Sequence, residues 1–269
     1  MEKQEKKEWI QKNKHKWLAM GVGLTLLVLG IILTAVTRAG AVAENAADGN
    51  KIPFALGLIM ILLGVVIPLA AMRPEKKKTD VRTLAMAALF AALCYIGFSY
   101  CKIDIPVGME KTAFHLGNVF CVLAALFLGG LWGGMAGAVG MTIADLTTAY
   151  VTSAPKTFLL KLCIGLITGF VAHKIFKLSQ DKEDRKLPLT AATAISCAAG
   201  MAFNMVADPL VGYFYKMYIL GVPQQAASIW AKIGAITTSV NAVVAVVAAT
   251  VLYMALRKAM KRSNLLPRL

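Results

Sequence analysis

Two carboxylates lie inside long apolar stretches of this sequence, where a charged group is costly and therefore informative. Asp145 is three residues from both Thr142 and Thr148, and Asp208 follows Asn204 by four residues, so on helices each set shares one face. Ionisable and amide side chains within apolar helices mark solute pathways or binding cavities. The chemistry that they indicate is non-covalent binding of a small polar solute, with nearby aromatic rings available for stacking. The candidate binding residues are Asn118, Asp145, Tyr150, Lys161, Asn204 and Asp208.

The elements that position these residues are predicted to be membrane-spanning helices. Hydrophobic residues make up 58% of the chain and charged residues only 16%, which is not the composition of a soluble domain. A helix needs about 20 apolar residues to cross a bilayer, and the runs in this sequence have that length. We therefore predict an all-α integral membrane protein. Its eight predicted spans are Trp17–Thr37, Pro53–Met72, Leu84–Tyr100, Phe114–Leu131, Gly133–Tyr150, Phe158–Phe176, Leu189–Tyr213 and Ala226–Leu256.

The formal charge of +15 is explained by membrane topology, without nucleic-acid binding. Basic residues cluster before the first span, after the second (73–82), after the sixth (174–186) and after the eighth (257–268), whereas the alternate loops carry few. The positive-inside rule then places both termini in the cytoplasm of a multi-pass cell-membrane protein. Binding of the basic tail to anionic lipid is compatible with this topology.

The predicted spans divide the chain into four parts. Residues 1–72 form a basic N-terminus with a two-helix leader, 73–82 a charged cytoplasmic linker, 83–262 a six-helix body and 263–269 a cytoplasmic tail. The first span could instead be a signal peptide, because Ala41-Val42-Ala43 offers a small-residue cleavage site.

Small residues mark two close helix contacts. In the first helix of the body, Ala87 with Ala91 and Ala88 with Ala92 form overlapping AxxxA pairs. Internal packing and docking of another membrane subunit both explain such pairs. Between the fourth and fifth spans, the glycine-rich run 129–134 predicts a tight hairpin.

The polar residues also have structural interpretations. Lys102, Lys111, Lys156, Lys216 and Lys232 could extend to the membrane surface. Asp145 and Asp208 could each form a structural ion pair, with Lys161 or Lys216 as the partner.

Enzyme motifs are missing from the sequence. It contains no GxSxG elbow, no HExxH metal pair and no GxxxxGK[ST] phosphate loop, and its five cysteines lack metal-ligand spacing. We therefore predict a protein that is not an enzyme and needs neither cofactor nor metal. A secondary transporter with Asp145 and Asp208 as coupling carboxylates is the alternative from another class.

Over Val81 to Lys261 the chain resembles the S components of energy-coupling factor (ECF) vitamin transporters, which are their substrate-binding membrane subunits. The resemblance is closest to the group for riboflavin, pyridoxine or hydroxymethylpyrimidine. It rests on the AxxxA pairs, His115-Leu116-Gly117-Asn118, the glycine-rich hairpin, Asp145 followed by Tyr150, and Pro155-Lys156-Thr157-Phe158 with Lys161.

The resemblance implies a six-helix body that captures one vitamin molecule near its outer face, under the loop at 101–111. It also implies that Ala87, Ala88, Ala91 and Ala92 contact a transmembrane coupling subunit, while two cytoplasmic ATPases supply energy. The two-helix leader departs from the usual six-helix pattern of the family.

Overall fold

The computed structural model describes residues 81–107, 110–179 and 187–263, together with single positions between 18 and 33 and Met60. The chain divides into two compact units, Met1–Lys77 and Lys78–Leu269. The leader, the linker before Val81, the alternative cleavage site and the tail after Ser263 lie outside the described residues, apart from those single positions. The helices, the sheet and the cavity described for this chain belong to the second unit.

The second unit is built mainly from helices. Helix α1 covers Val81–Ser99, α2 Gly117–Leu146, α3 Ala154–Phe170, α4 Leu189–Phe214 and α5 Gln224–Arg262. Single π-helical segments, Val171–Ile175 and Tyr215–Ile219, extend α3 and α4. Among the described residues, these five helices with their extensions are long and apolar enough to cross a membrane. The helical membrane class predicted from composition is thus confirmed.

Helix α2 is bent back on itself at Gly129, which has φ 80° and ψ 171°. A β-carbon added at Gly133 would meet the backbone of Ala125, and one added at Gly137 would meet the thiol of Cys121. Residues eight and sixteen positions apart would be well separated on a continuous helix. The halves 117–128 and 130–146 therefore run antiparallel, as the glycine-rich sequence predicts.

Close glycine contacts also join α2 to α3. Gly134 lies against Gly165, and Gly130 lies against Gly169, so the two helix backbones approach each other without intervening side chains. In the apolar 18-residue stretch that identifies each helix as a possible membrane span, 72% of the residues of α2 are buried, against 33% in α1 and 33% in α5. The folded-back α2 is therefore the centre of the unit, with α1, α3 and α5 packed around it.

The segment between α1 and α2 forms a two-stranded antiparallel sheet. Strand β1 covers Lys102–Val107 and pairs with β2, Glu110–His115, in a register that places Lys102 opposite His115. The sequence predicted a loop at 101–111 and missed these two strands, whereas the helix expected from Phe114 is present and begins at Gly117. Alternating Ile103, Ile105 and Val107 favour a strand, but a six-residue pattern beside a long apolar helix is easily absorbed into that helix.

The two ends of the bundle differ in their contacts. At the sheet end, β1 meets the turn after α2, and β2 meets the middle of α5. At the Gly129 end, His173 Nε2 lies 3.2 Å from the carbonyl oxygen of Ala125, and Arg257 donates to the carbonyl oxygen of Leu178 at 3.0 Å. The helix ends that carry the basic clusters thus meet at the Gly129 end, away from the sheet.

Candidate functional site

A cavity opens beneath the β-hairpin and contains about 840 Å³ of empty space, including part of the solvent at its mouth. All five helices and β2 contribute side chains to it. The proline at the start of α3 favours helix initiation there, which brings the first turns of α3 against the cavity. The polar lining residues are Lys111, Thr112, His115, Asp145, Ser153, Lys156, Thr157, Lys161, Asp208, Lys216, Thr237, Thr238 and Asn241.

An ion pair joins α3 to α4 at the cavity. Lys156 Nζ lies 2.8 Å from Asp208 Oδ1, and Thr238 of α5 donates a 2.8 Å hydrogen bond to Asp208 Oδ2. The two charged side chains are 14% and 25% exposed, so most of the water is excluded from them. The structural partner of Asp208 is thus Lys156. Of the structural interpretations left open by the sequence, the structure does not show Lys156 extending to the membrane surface or Asp208 in an ion pair with Lys161 or Lys216.

Lys161 is buried deeper on the same helix. It is 6% exposed, and its Nζ donates a 2.9 Å hydrogen bond to Oδ1 of Asn118, which is 2% exposed. Among the described residues, the structure gives the Lys161 ammonium this one hydrogen bond, although the group has three donors. Lys161 can therefore donate to an acceptor atom placed in the cavity.

Two further polar groups at the cavity have unused hydrogen-bonding capacity. Asp145 is 2% exposed and bonded to the Thr157 hydroxyl, while its Oδ2 has no partner within the described part of the chain. The same holds for Nδ1 of His115. Burial, reinforced by the positive charge of Lys161, lowers the pKa of His115 to about 3, so its ring is neutral at physiological pH. Buried polar atoms without partners are rare, which makes these two natural contacts for a solute.

Asn241 of α5 holds strand β2 against the cavity. Its Nδ2 donates to the carbonyl oxygen of Ala113 at 3.0 Å, and its Oδ1 accepts from the backbone N–H of His115 at 3.0 Å. One turn earlier on α5, the hydroxyls of Thr237 and Thr112 lie 3.0 Å apart.

Tyr150 lies in the turn after α2 and also lines the cavity. Its hydroxyl donates to Asp104 of β1 at 2.9 Å, and its ring meets that of Phe98 edge to face, with centroids 5.4 Å apart. Burial and the nearby Asp104 carboxylate raise the pKa of Tyr150, so the phenol stays protonated. Lys102 lies over the Tyr150 ring at 4.9 Å and 3.3 Å from Asp104.

At the mouth of the cavity, Lys216 lies 3.8 Å from the centroid of the Trp230 ring. This distance is typical of a cation–π contact. Together with Phe98 and Tyr150, Trp230 gives the cavity aromatic surface on different sides.

The structure brings most of the predicted site residues together. Asp145, Tyr150, Lys161 and Asp208 line the cavity, and Asn118 reaches it through Lys161. Asn204 does not line it: this side chain is 1% exposed, and its Oδ1 has no partner within the described residues.

The α5 side of the cavity was missed by sequence reasoning. Thr237, Thr238 and Asn241 are polar residues within one turn of an apolar helix. Their spacing was the available signal, because a cluster of amide and hydroxyl groups at membrane depth needs partners.

The alanine pairs of α1 divide between two environments. Ala87 is buried, and the backbone of Ala91 lies against Gly140, so this pair packs inside the unit. Ala88 and Ala92 are exposed.

The described part of the chain contains no cluster of histidine, cysteine or acidic residues that could hold a metal ion. All five cysteines are free, and Cys101 is the exposed one.

Comparison with known families gives one result. The family described as ECF-type riboflavin transporter, S component, matches residues 78–258, which include α1 to α4, most of α5, the hairpin and every residue of the cavity. Comparisons with curated proteins and with solved structures gave no match. Because the matched residues make up well over half of the chain, this protein belongs to the S-component family of ECF-type riboflavin transporters.

Proposed function

We propose that this protein captures a water-soluble vitamin or vitamin precursor in the cavity beneath the hairpin, for ATP-driven uptake by an ECF transporter. Members of the family are transporter subunits, which accords with the absence of enzyme motifs. The observation that carries the proposal is the pair of buried groups, Lys161 and Asp145, that face the cavity with unused donors and an unused acceptor.

The shape and chemistry of the cavity suit a heteroaromatic ring. Small-molecule sites are typically concave and lined by apolar and aromatic side chains with a few convergent polar groups, and the lining of this cavity has that composition. Phe98, Tyr150 and Trp230 offer faces for stacking. Lys161 supplies donors for a carbonyl oxygen or ring nitrogen, and Asp145 accepts from an N–H or hydroxyl. Riboflavin is the first candidate because the family is described by it, and pyridoxine and hydroxymethylpyrimidine present the same kinds of groups.

The predicted site residues take different roles in this proposal. Asp145, Tyr150 and Lys161 contact the solute. Asp208 binds Lys156 and Thr238 and so fixes these side chains in the wall of the cavity. Asn118 orients Lys161. We assign no solute contact to Asn204.

We further propose that the body crosses the membrane six times, with the two halves of α2 counted separately. The sheet end then faces outward, and the Gly129 end and both termini face the cytoplasm, as the basic clusters require. The leader is proposed, as from the sequence, to add two membrane crossings before α1, and the charged linker between the leader and α1 is proposed to lie in the cytoplasm.

Docking to the coupling subunit is proposed for the exposed alanines Ala88 and Ala92. Ala87 and Ala91 support that surface from inside, since they pack within the unit. Two cytoplasmic ATPases complete the transporter that the family implies.

A gradient-driven transporter is not favoured by the site. The family that matches this chain consists of S components of ECF transporters, and Asp208, one of the two carboxylates considered for coupling, is bound by both Lys156 and Thr238.

The test is to identify the captured solute. Small molecules released from the detergent-purified protein are identified by mass spectrometry, and riboflavin, pyridoxine and hydroxymethylpyrimidine are titrated by calorimetry without ATP. We expect one of them to bind at one molecule per chain. Lys161→Met should then weaken binding by roughly 10- to 100-fold, because a charge-assisted hydrogen bond contributes about 1.5–3 kcal/mol.

Lys232→Met is the matched control, since Lys232 is exposed on α5 and does not line the cavity. Unchanged affinity in a folded Lys161→Met protein would remove Lys161 from the site. Absence of binding by all three vitamins would contradict the choice of solute.

A further inference from the structure

The two strands of the β-hairpin are attached to the helices in different ways. On the β2 side, Asn241 makes two hydrogen bonds to the strand backbone and is only 6% exposed. A side-chain amide carries the same donor and acceptor as a peptide group, so Asn241 pairs with β2 as a short neighbouring strand would. The contact between Thr237 and Thr112 extends this attachment by one turn of α5. Breaking it would leave buried backbone groups unpaired, which is costly.

On the β1 side, the attachment is weaker. The Asp104 side chain is 32% exposed, and its bond from the Tyr150 hydroxyl lies at the surface. The ion pair between Lys102 and Asp104 is internal to β1, so it does not fasten the strand to the bundle. In the part of the chain that the structure describes, the Lys102 ammonium contacts the bundle only through long cation–π contacts, 4.9 Å from the centroid of the Tyr150 ring and 5.8 Å from that of Phe98. Water can replace exposed contacts of this kind at little cost.

We infer that Asn241 is a positioning residue that fixes β2 to α5 as a hinge, and that the solute passes on the β1 side when Tyr150 releases Asp104. The solute's route rests on the proposed function, whereas the difference between the strands is a property of the solute-free protein.

This arrangement predicts separate effects of the two attachments. Tyr150→Phe keeps the ring at the cavity and removes only the hydroxyl, so it should speed solute release by about 3- to 10-fold, the equivalent of one hydrogen bond. Association should speed by a similar factor, because the solute-free protein makes the same bond, so the affinity should change little. Faster release with unchanged association would mean that the hydroxyl contacts the solute directly, and unchanged rates of both would overturn the gate at Tyr150.

The first experiment is hydrogen exchange in the solute-free protein. We expect the β2 amide of His115, which is bonded to Asn241, to exchange at least about ten times more slowly than the β1 amides. Asn241→Leu should abolish that protection while the amides of α2 stay protected. Asn241→Asp, which keeps the acceptor for His115, is the milder variant if Asn241→Leu does not fold. Ser239→Ala is the control, because the Ser239 hydroxyl bonds to the carbonyl oxygen of Ala235 in its own helix. Equal protection of the two strands, or loss of protection throughout the bundle in both Asn241 variants, would overturn the inference.

The second experiment fastens the β2 side covalently. The hydroxyls of Thr112 and Thr237 lie 3.0 Å apart, so cysteines at these positions are within reach of each other. The pair is made in a Cys101→Ser background, because Cys101 is the exposed native cysteine within the described residues. Radiolabelled riboflavin, or whichever vitamin binds, is then exchanged with the same protein in its oxidised and reduced forms.

We expect the two forms to exchange solute at rates within about twofold, because β2 does not move. Exchange that stops on oxidation would show that β2 must leave α5, which overturns the inference. If no vitamin binds to the native protein, the proposed function fails, and the hydrogen-exchange comparison still decides the role of Asn241.

Discussion

Removal of one partner from the ion pair between Lys156 and Asp208 should destabilise the protein more than removal of both. The atoms are 2.8 Å apart, and at an effective dielectric constant of 20 their attraction is about 6 kcal/mol before desolvation is subtracted. A buried charge left without its partner typically costs about 3–5 kcal/mol. We therefore expect Asp208→Asn and Lys156→Met each to lower the free energy of unfolding by about 3 kcal/mol.

The double variant leaves neither charge behind, so its expected cost is only about 2 kcal/mol. The interaction free energy from the double-mutant cycle is then about 4 kcal/mol. The assay is equilibrium unfolding in mixed detergent micelles, with the unfolded fraction followed by circular dichroism. The same cycle on Lys102 and Asp104 is the control, because that pair lies nearer the surface at 3.3 Å and should give less than about 1 kcal/mol. An interaction free energy below about 1 kcal/mol for Lys156 and Asp208 would refute the reasoning.

Three further predictions concern stability and docking. Because the pKa of His115 falls from about 6.5 to about 3 on folding, the unfolded chain binds more protons between these values, and stability falls as the pH is lowered. The native protein should lose about 2 kcal/mol more of its free energy of unfolding than His115→Gln does when the pH is lowered from 8 to 5. Thermal unfolding measures this difference, and the same pH dependence in both proteins would contradict the prediction. Ala92→Trp should abolish ATP-driven vesicle uptake and spare solute binding, whereas Ala202→Trp, at an exposed alanine of α4, should spare both; loss of binding in Ala92→Trp would place that residue in internal packing. Gly133→Ala should destabilise by at least about 2 kcal/mol because its β-carbon meets backbone, while Gly234→Ala, with open space around it, should stabilise by up to about 1 kcal/mol; equal effects in unfolding assays would exclude the close contact.

The helices and the carboxylates of the site could be predicted from the sequence because polar and charged groups are costly to bury in the hydrocarbon of a bilayer. Apolar length identifies a crossing helix, and an ionisable group inside it needs a partner. Asp145 and Asp208 were found for that reason, and both line the cavity.

The partners of these carboxylates could not be predicted in the same way. Lys156, Lys161 and Lys216 are all near enough in the predicted topology, and only the packing of α3 against α4 selects Lys156 for Asp208. The role of Asn241 depends on β2, and a six-residue strand gives too short a pattern to be separated from the adjacent helix.

The central claim is that this chain captures its solute and does not carry it across the membrane by itself. The most direct test uses vesicles that contain this protein alone, with radiolabelled riboflavin, pyridoxine or hydroxymethylpyrimidine outside and an imposed proton or sodium gradient. Capture predicts one retained solute molecule per chain, with no dependence on the gradient. Accumulation inside the vesicles that follows the gradient would contradict the claim and establish a secondary transporter.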